Sequence, residues 1–129
     1  MSKKKQTSPS AIVWFEIPAT DIDRAKNFYS GLFGWKIEQF PNVPDYFKIE
    51  TGSNNGSPNG GMLTRKHPAH TITNYVSVAS LNRAVTKLKK LGGRICMPRT
   101  AVPEMGYFAI CQDTEGNTFA LWEVNDKAK

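Results

Sequence analysis

The chain carries one pattern twice, and that duplication limits its possible folds more than any other feature. Ile17-Pro18-Ala19-Thr20-Asp21-Ile22-Asp23-Arg24-Ala25 is echoed by Val76-Ser77-Val78-Ala79-Ser80-Leu81-Asn82-Arg83-Ala84. Each copy is an apolar strand-like run, a polar break, then a helical pattern opening on hydrophobic-x-Arg-Ala. Leu32-Phe33-Gly34-Trp35 then stands opposite Leu91-Gly92-Gly93-Arg94, and Tyr46-Phe47-Lys48-Ile49 resembles Tyr107-Phe108-Ala109-Ile110. A repeat this long is a supersecondary unit rather than a solenoid element. Two such units in 129 residues are expected to pack as a pseudo-symmetric pair with a site between them.

Local signals order each unit. Residues 11–17 read as a strand ended by Pro18. Thr20 or Asp21 caps a helix over 23–33, and Gly34 stops it. Ala25, Phe28, Tyr29 and Leu32 recur at helical spacing and are expected to face the core. Strands over 35–39, 46–50 and 61–64 follow, with a loop over 52–60 that is flexible by its Gly, Ser, Asn and Pro content. The second unit predicts a strand over 73–78 and a helix over 81–91 with Leu81, Ala84, Val85 and Leu88 inward. Strands at 94–97, 107–111 and 118–124 complete it, with a loop over 98–106. Asp113-Thr114-Glu115-Gly116-Asn117 is a hairpin turn, too poor in ligands for a calcium loop. The order is βαβββ twice, an α+β class.

Composition narrows the function. The net charge is +6, but Lys3, Lys4, Lys5, Lys127 and Lys129 lie in the two tails, so the body is near neutral. Nucleic-acid binding is not expected, and Lys87, Lys89 and Lys90 read as a solvated helix face. No apolar run reaches spanning length, and no signal-peptide stretch precedes Ala11, so a cytoplasmic protein with no membrane partner is expected. Residues 1–10 read as a disordered basic tail, 11–125 as a single domain with repeats at 11–66 and 71–125, and 126–129 as a short tail. Cys96 and Cys111 lack metal spacing and read as buried free thiols.

These residues together resemble the vicinal oxygen chelate superfamily of glyoxalases, bleomycin-resistance proteins and dioxygenases. The resemblance rests on Ile17-Pro18-Ala19-Thr20-Asp21, Arg24-Ala25, Phe28-Tyr29, Leu32-Phe33-Gly34-Trp35 and Gly60-Gly61-Met62. Leu91-Gly92-Gly93, Gly106-Tyr107-Phe108 and Asp113-Thr114-Glu115-Gly116-Asn117 carry it through the second unit. It is nearest to a subgroup described as related to lactoylglutathione lyase. The resemblance implies a half-open curled sheet around a central cleft, often completed by a second subunit. It also implies a divalent metal held from several strands. The corresponding positions here are Trp14, Thr73, Ala120 and the run Gly60-Gly61-Met62-Leu63, which offer no donor of the usual kind. His67 and His70 lie in the connector and read as a solvated pair. No metal and no cofactor are therefore expected.

Strand alternation nominates what lines the cleft instead. Trp14, Glu16, Tyr46, Lys48, Tyr75, Tyr107, Ala109, Ala120 and Trp122 are expected to face it, with Phe108, Ile110, Phe119 and Leu121 on the core side. Trp14, Tyr46, Lys48, Tyr75, Tyr107 and Trp122 are the candidate ligand-binding residues, through stacking on a small organic molecule. The same aromatics could instead fill a dimer interface. Glu16 is the candidate acid/base, against a structural role paired to Lys48 or a tyrosine. Glu104 and Met105 could form a lid. The expected function is metal-independent binding of a small molecule by a homodimer, with a lyase or isomerase using Glu16 as the alternative.

Overall fold

A computed structural model describes residues 10–52 and 58–129. The rest of the expected N-terminal tail and residues 53–57 of the expected loop lie outside the described residues. The elements are β1 (Ile12–Ala19), α1 (Ile22–Phe33), β2 (Lys36–Gln39), β3 (Tyr46–Glu50), β4 (Asn59–Thr64), β5 (Thr73–Ser77), α2 (Leu81–Lys90), β6 (Arg94–Val102), β7 (Gly106–Gln112) and β8 (Thr118–Val124). The chain is α+β, and βαβββ occurs twice. It divides into a first unit, Val13–Asn74, and a second that holds Tyr75–Lys129.

The two units repeat one topology. In the first, the strands run β2-β3-β4-β1, antiparallel except for the parallel β1·β4 pair. In the second they run β5-β8-β7-β6, antiparallel except for the parallel β5·β8 pair. Helix starts are matched as well. Asp21 accepts the Arg24 N–H at 3.0 Å, and Ser80 accepts the Arg83 N–H at 3.2 Å, each satisfying an orphan amide of the first turn. Glu123 adds a second cap on α2, where its Oε1 accepts the Leu81 N–H at 2.7 Å. Gly34 ends α1 at φ 74°, a left-handed conformation that glycine adopts without a Cβ clash.

Each unit buries one sheet face under its helix. Ile17, Ala19, Ile37, Ile49 and Met62 form the first core, with Phe15, Ile22, Ala25, Tyr29, Trp35 and Phe47 packed against it. Leu81, Ala109, Cys111 and Leu121 form the second, with Val78, Ala84, Val85, Leu88, Ile95, Tyr107 and Phe119 around them. Alternation along β1, β3 and β8 follows the sequence expectation, because the helix-covered side takes Phe15 and Ile17, Phe47 and Ile49, Phe119 and Leu121. The Asp113 turn also forms, and the Asn117 N–H, then its amide side chain, then the Glu115 N–H hold the Asp113 carboxyl below its usual pKa.

Several expectations need correction. Strand β1 does not end at Pro18 but continues to Ala19, whose carbonyl accepts from Arg65 N–H at 2.9 Å. In a parallel ladder only alternate residues bond a given neighbour, so the missing N–H of Pro18 costs no bond to β4. Strand β6 runs through Pro98 to Val102, since it is the end strand of its unit and its register shifts absorb the proline ring. Phe28 and Leu32 do not face the core; they are 60% and 61% exposed. The core stripe of α1 is Ile22, Ala25 and Tyr29, and one helix turned that way aims Phe28 and Leu32 outward. Cys96 is exposed, not buried. The expected C-terminal tail is docked: Ala128 is buried, and its carbonyl accepts the Glu104 N–H at 2.9 Å.

Substitution separates the two kinds of apolar helix residue. Leu81→Ala, at a position with no exposure, should cost about 2–5 kcal/mol in denaturant unfolding. Leu32→Ser should change stability by less than about 0.5 kcal/mol. A large loss for Leu32→Ser would restore it to the core.

Candidate functional site

The uncovered face of the first unit carries the candidate residues. Trp14 and Glu16 alternate with Phe15 and Ile17 on β1, and Tyr46 and Lys48 alternate with Phe47 and Ile49 on β3, so all four lie opposite α1. Strand β4 runs between these strands, with Gly61 paired to Glu16 on one side and Lys48 on the other. A Cβ at Gly61 would collide with the Tyr46 hydroxyl and ring. The tyrosine therefore lies across β4 where only glycine leaves room, and its hydroxyl reaches β1.

That reach links three side chains. Trp14 Nε1 donates to the Tyr46 hydroxyl at 2.8 Å, and the hydroxyl donates to Glu16 Oε2 at 2.8 Å. The acceptance from Trp14 orients the phenol so that its proton points to the carboxylate, and each bond polarises the next. Phe40 packs edge-on against Tyr46, ring centroids 5.8 Å apart, and restricts the ring further. Lys48 Nζ lies 3.4 Å from Glu50 Oε2, and both are about two-fifths exposed, so this pair contributes little to stability. All three linked residues are half-buried. The arrangement offers an aromatic wall beside a positioned carboxylate.

The second unit has an analogous face opposite α2, on which Tyr75 and Ala120 are buried and Trp122 is half-buried, with one difference from expectation. Tyr75 pairs with Ala120 and Ser77 with Trp122, placing these residues opposite α2. Trp122 lies over Gly106, as Tyr46 lies over Gly61, and a Cβ there would meet the indole at 2.7 Å. Tyr107, however, belongs to the other side. It packs with Ala109 and Cys111 against the α2 core, and Arg99 stacks on its ring at 3.9 Å. The residue on the face opposite α2 is Phe108, 6.2 Å from Tyr75 between ring centroids. The seventh strand is thus inverted by one residue from the expected alternation. Its sequence, Gly-Tyr-Phe-Ala-Ile-Cys-Gln, is apolar at nearly every position and carries no period-2 signal. The small residues at 106 and 109, which make room for Trp122 and α2, were the available clue.

The remaining candidates are fixed in structural roles. Glu104 and Met105 sit in a turn held from both sides, by Glu104 N–H to Ala128 O and by Asn125 N–H to Met105 O, each at 2.9 Å. This turn is tied down, which argues against a lid. His67 and His70 stack at 5.8 Å in the connector, where His70 Nδ1 accepts the Lys66 N–H at 3.1 Å. Among the described residues no three His, Cys, Asp or Glu converge on a common point. Trp14, Thr73 and Ala120 supply no donor set for the metal that the fold's resemblance implies, so the residues present do not fit it.

The sequence matches the Glyoxalase/Bleomycin resistance protein/Dioxygenase superfamily over residues 11–121, and the chain belongs to that superfamily. A glyoxylase-like domain-containing protein of Didymella fabae is 34% identical over 113 residues, covering 82% of this chain and 88% of that one. The anthracycline biosynthesis protein DnrV of Streptomyces peucetius is 24% identical, and the match covers 89% of this chain but 47% of the relative. This chain therefore spans about half the length of that relative. A superfamily member from Vibrio splendidus 12B01 shares the fold at TM-score 0.64 and 10% identity, covering 91% of this chain and 100% of the other.

Gly61→Ala should displace Tyr46 and cost about 1–3 kcal/mol, while Tyr46→Phe should abolish both hydrogen bonds and shift Trp14 fluorescence. A Gly61→Ala variant with unchanged stability and emission would remove the crossing tyrosine. Burial, then the charges of His67, Arg65 and Lys66, lowers the pKa of His70 below that of a free imidazole. The unfolded chain thus takes up this proton first, and stability should fall as pH drops from about 6.5 through the lowered value. His70→Gln should flatten that slope in urea titrations; an unchanged slope would exclude His70 as its source.

Proposed function

We propose that the protein binds a small organic molecule on the uncovered aromatic face, without a metal ion. The observation that carries this reading is the Trp14–Tyr46–Glu16 linkage across Gly61. A strand gives up a side chain at Gly61, and an aromatic ring held by two hydrogen bonds takes the space. The result is a flat apolar surface with a fixed acceptor at its edge, which suits a planar ligand bearing a hydrogen-bond donor. Trp122, half-buried on the face opposite α2, adds a second aromatic ring, while Tyr75 beside it is buried. Lys48, beside Glu50, would sit at the polar margin of the site.

The protein is further read as a cytoplasmic homodimer with no nucleic-acid or membrane partner. No described helix is long and apolar enough to cross a membrane. Exposed Phe28, Leu32 and Phe33 on α1 supply apolar surface that a second copy would cover. A second reading, a lyase or isomerase of the kind the glyoxylase-like relative's name suggests, is favoured by the Tyr46 bond to Glu16. A phenol that orients a carboxylate can position a general base.

An anthracycline, the compound class in the streptomycete relative's name, is a suitable planar probe. Binding should quench tryptophan emission, and Trp14→Ala should weaken it by about 1–3 kcal/mol with folding intact. Equal affinity in the variant would reject this face as the site. Glu16→Gln separates the two readings. A base would lose about 10²–10⁴-fold in turnover with binding kept, whereas a binding residue would lose affinity. Sedimentation at micromolar concentration should show a dimer; a monomer would refute the assembly.

A further inference from the structure

Strands β6 and β7 bring the chain's two cysteines together through an irregularity. Ile95 pairs with Cys111 and Met97 pairs with Ile110, so β6 spends two residues where β7 spends one. Cys96 is the extra residue. In an unbroken ladder it would point away from the face that Ile95 and Cys111 share, because successive side chains alternate. A bulge sets two residues opposite one and re-aims the side chain of the extra one. Adjacent strands lie about 4.8 Å apart and one residue advances about 3.3 Å, which puts the two Cα atoms about 6 Å apart. Disulfides span Cα separations of about 4.4–6.8 Å.

The two thiols differ in access. Both are free; Cys96 is exposed and Cys111 is fully buried in the second core. Burial, with a contribution from the nearby Cys96, pushes the Cys111 thiol up to about 11. Cys111 is thus protonated and shielded, while Cys96 is open to reagents from solvent.

We propose that Cys96 and Cys111 form a redox-sensitive pair that closes into an intrachain disulfide on exposure to a hydroperoxide. The Cys96 thiolate attacks the outer peroxide oxygen, the O–O bond breaks, and the alcohol (water, for hydrogen peroxide) leaves with a proton from solvent. Cys96 is then a sulfenic acid. Cys111 then gives up its proton, its thiolate attacks the Cys96 sulfur, the S–O bond breaks, and the hydroxide takes up that proton and leaves as water. Two thiols lose two electrons and the peroxide gains them. The bond staples the end strand to its neighbour where the ladder is interrupted.

The test uses the full chain and hydrogen peroxide. Before oxidation, N-ethylmaleimide should label Cys96 alone in the native protein. After oxidation the intact mass should fall by two hydrogens and no label should enter. Trypsin cuts after Arg94, Arg99 and Lys127, so the linked product joins residues 95–99 to residues 100–127 and separates on reduction. Cys111→Ser should leave Cys96 trappable by dimedone, and Cys96→Ser should leave Cys111 unoxidised at the same dose. Oxygen added at Cys96 or Met97 with no linked peptide would overturn the proposal, as would a Cys96–Cys96 bond between two chains. The peptide map of the unaltered protein decides this even if the Cys111 variant does not fold.

Discussion

One helix covers one face of a four-stranded sheet, and everything distinctive about this protein follows from the face left over. In each unit the buried set comes from one side of the strands and from a single stripe of the helix. Burial of that side supplies the folding free energy of the unit, at about 25 cal/mol per Å² of apolar surface. In the first unit the opposite side is only half-buried and can carry Glu16, Lys48 and polar-tipped aromatics. A carboxylate among tryptophan and tyrosine would be costly inside the core, where a charge needs full compensation. On the uncovered face it is half-buried and bonded to a phenol.

The glycines on that face matter because they remove side chains where another ring must pass. Gly61 lies beneath Tyr46, and Gly106 lies beneath Trp122. The two occur on different strands of their units, β4 in the first and β7 in the second, so they do not occupy equivalent places in the repeat. Each unit has reached the same device, an aromatic laid over bare backbone, from its own sequence. Among the described residues, the first unit places a carboxylate, Glu16, at the end of its ring.

The repeat, the helix caps at Asp21 and Ser80, and the turn at Asp113 were legible because each is set by residues close in sequence. The facing of β1 and β3 was legible for a related reason: a charged residue, Glu16 on one and Lys48 on the other, fixes which alternate set faces away from the core. The facing of β7 was not, because Tyr107 and Phe108 are both large and apolar enough for either side. The choice fell to Trp122, which needs Gly106 beneath it, and to α2, which needs the small Ala109. Phe28 and Leu32 failed in the same way. Helical spacing nominated a broad apolar stripe, and the sheet had room for only its Ile22–Ala25–Tyr29 edge.

From the sequence alone came the α+β class, the duplicated βαβββ order, and the pairing of aromatics with Glu16 on one strand face. Local propensity and periodicity suffice for these, since they depend on contacts within a few residues. The tertiary structure decided which rings meet. That Tyr46 crosses β4 to join Trp14 and Glu16, that Tyr107 turns to the helix, and that a bulge sets Cys96 beside Cys111 all depend on pairing between strands distant in sequence. Strand register is a long-range quantity, and a shift of a single residue exchanges the two faces.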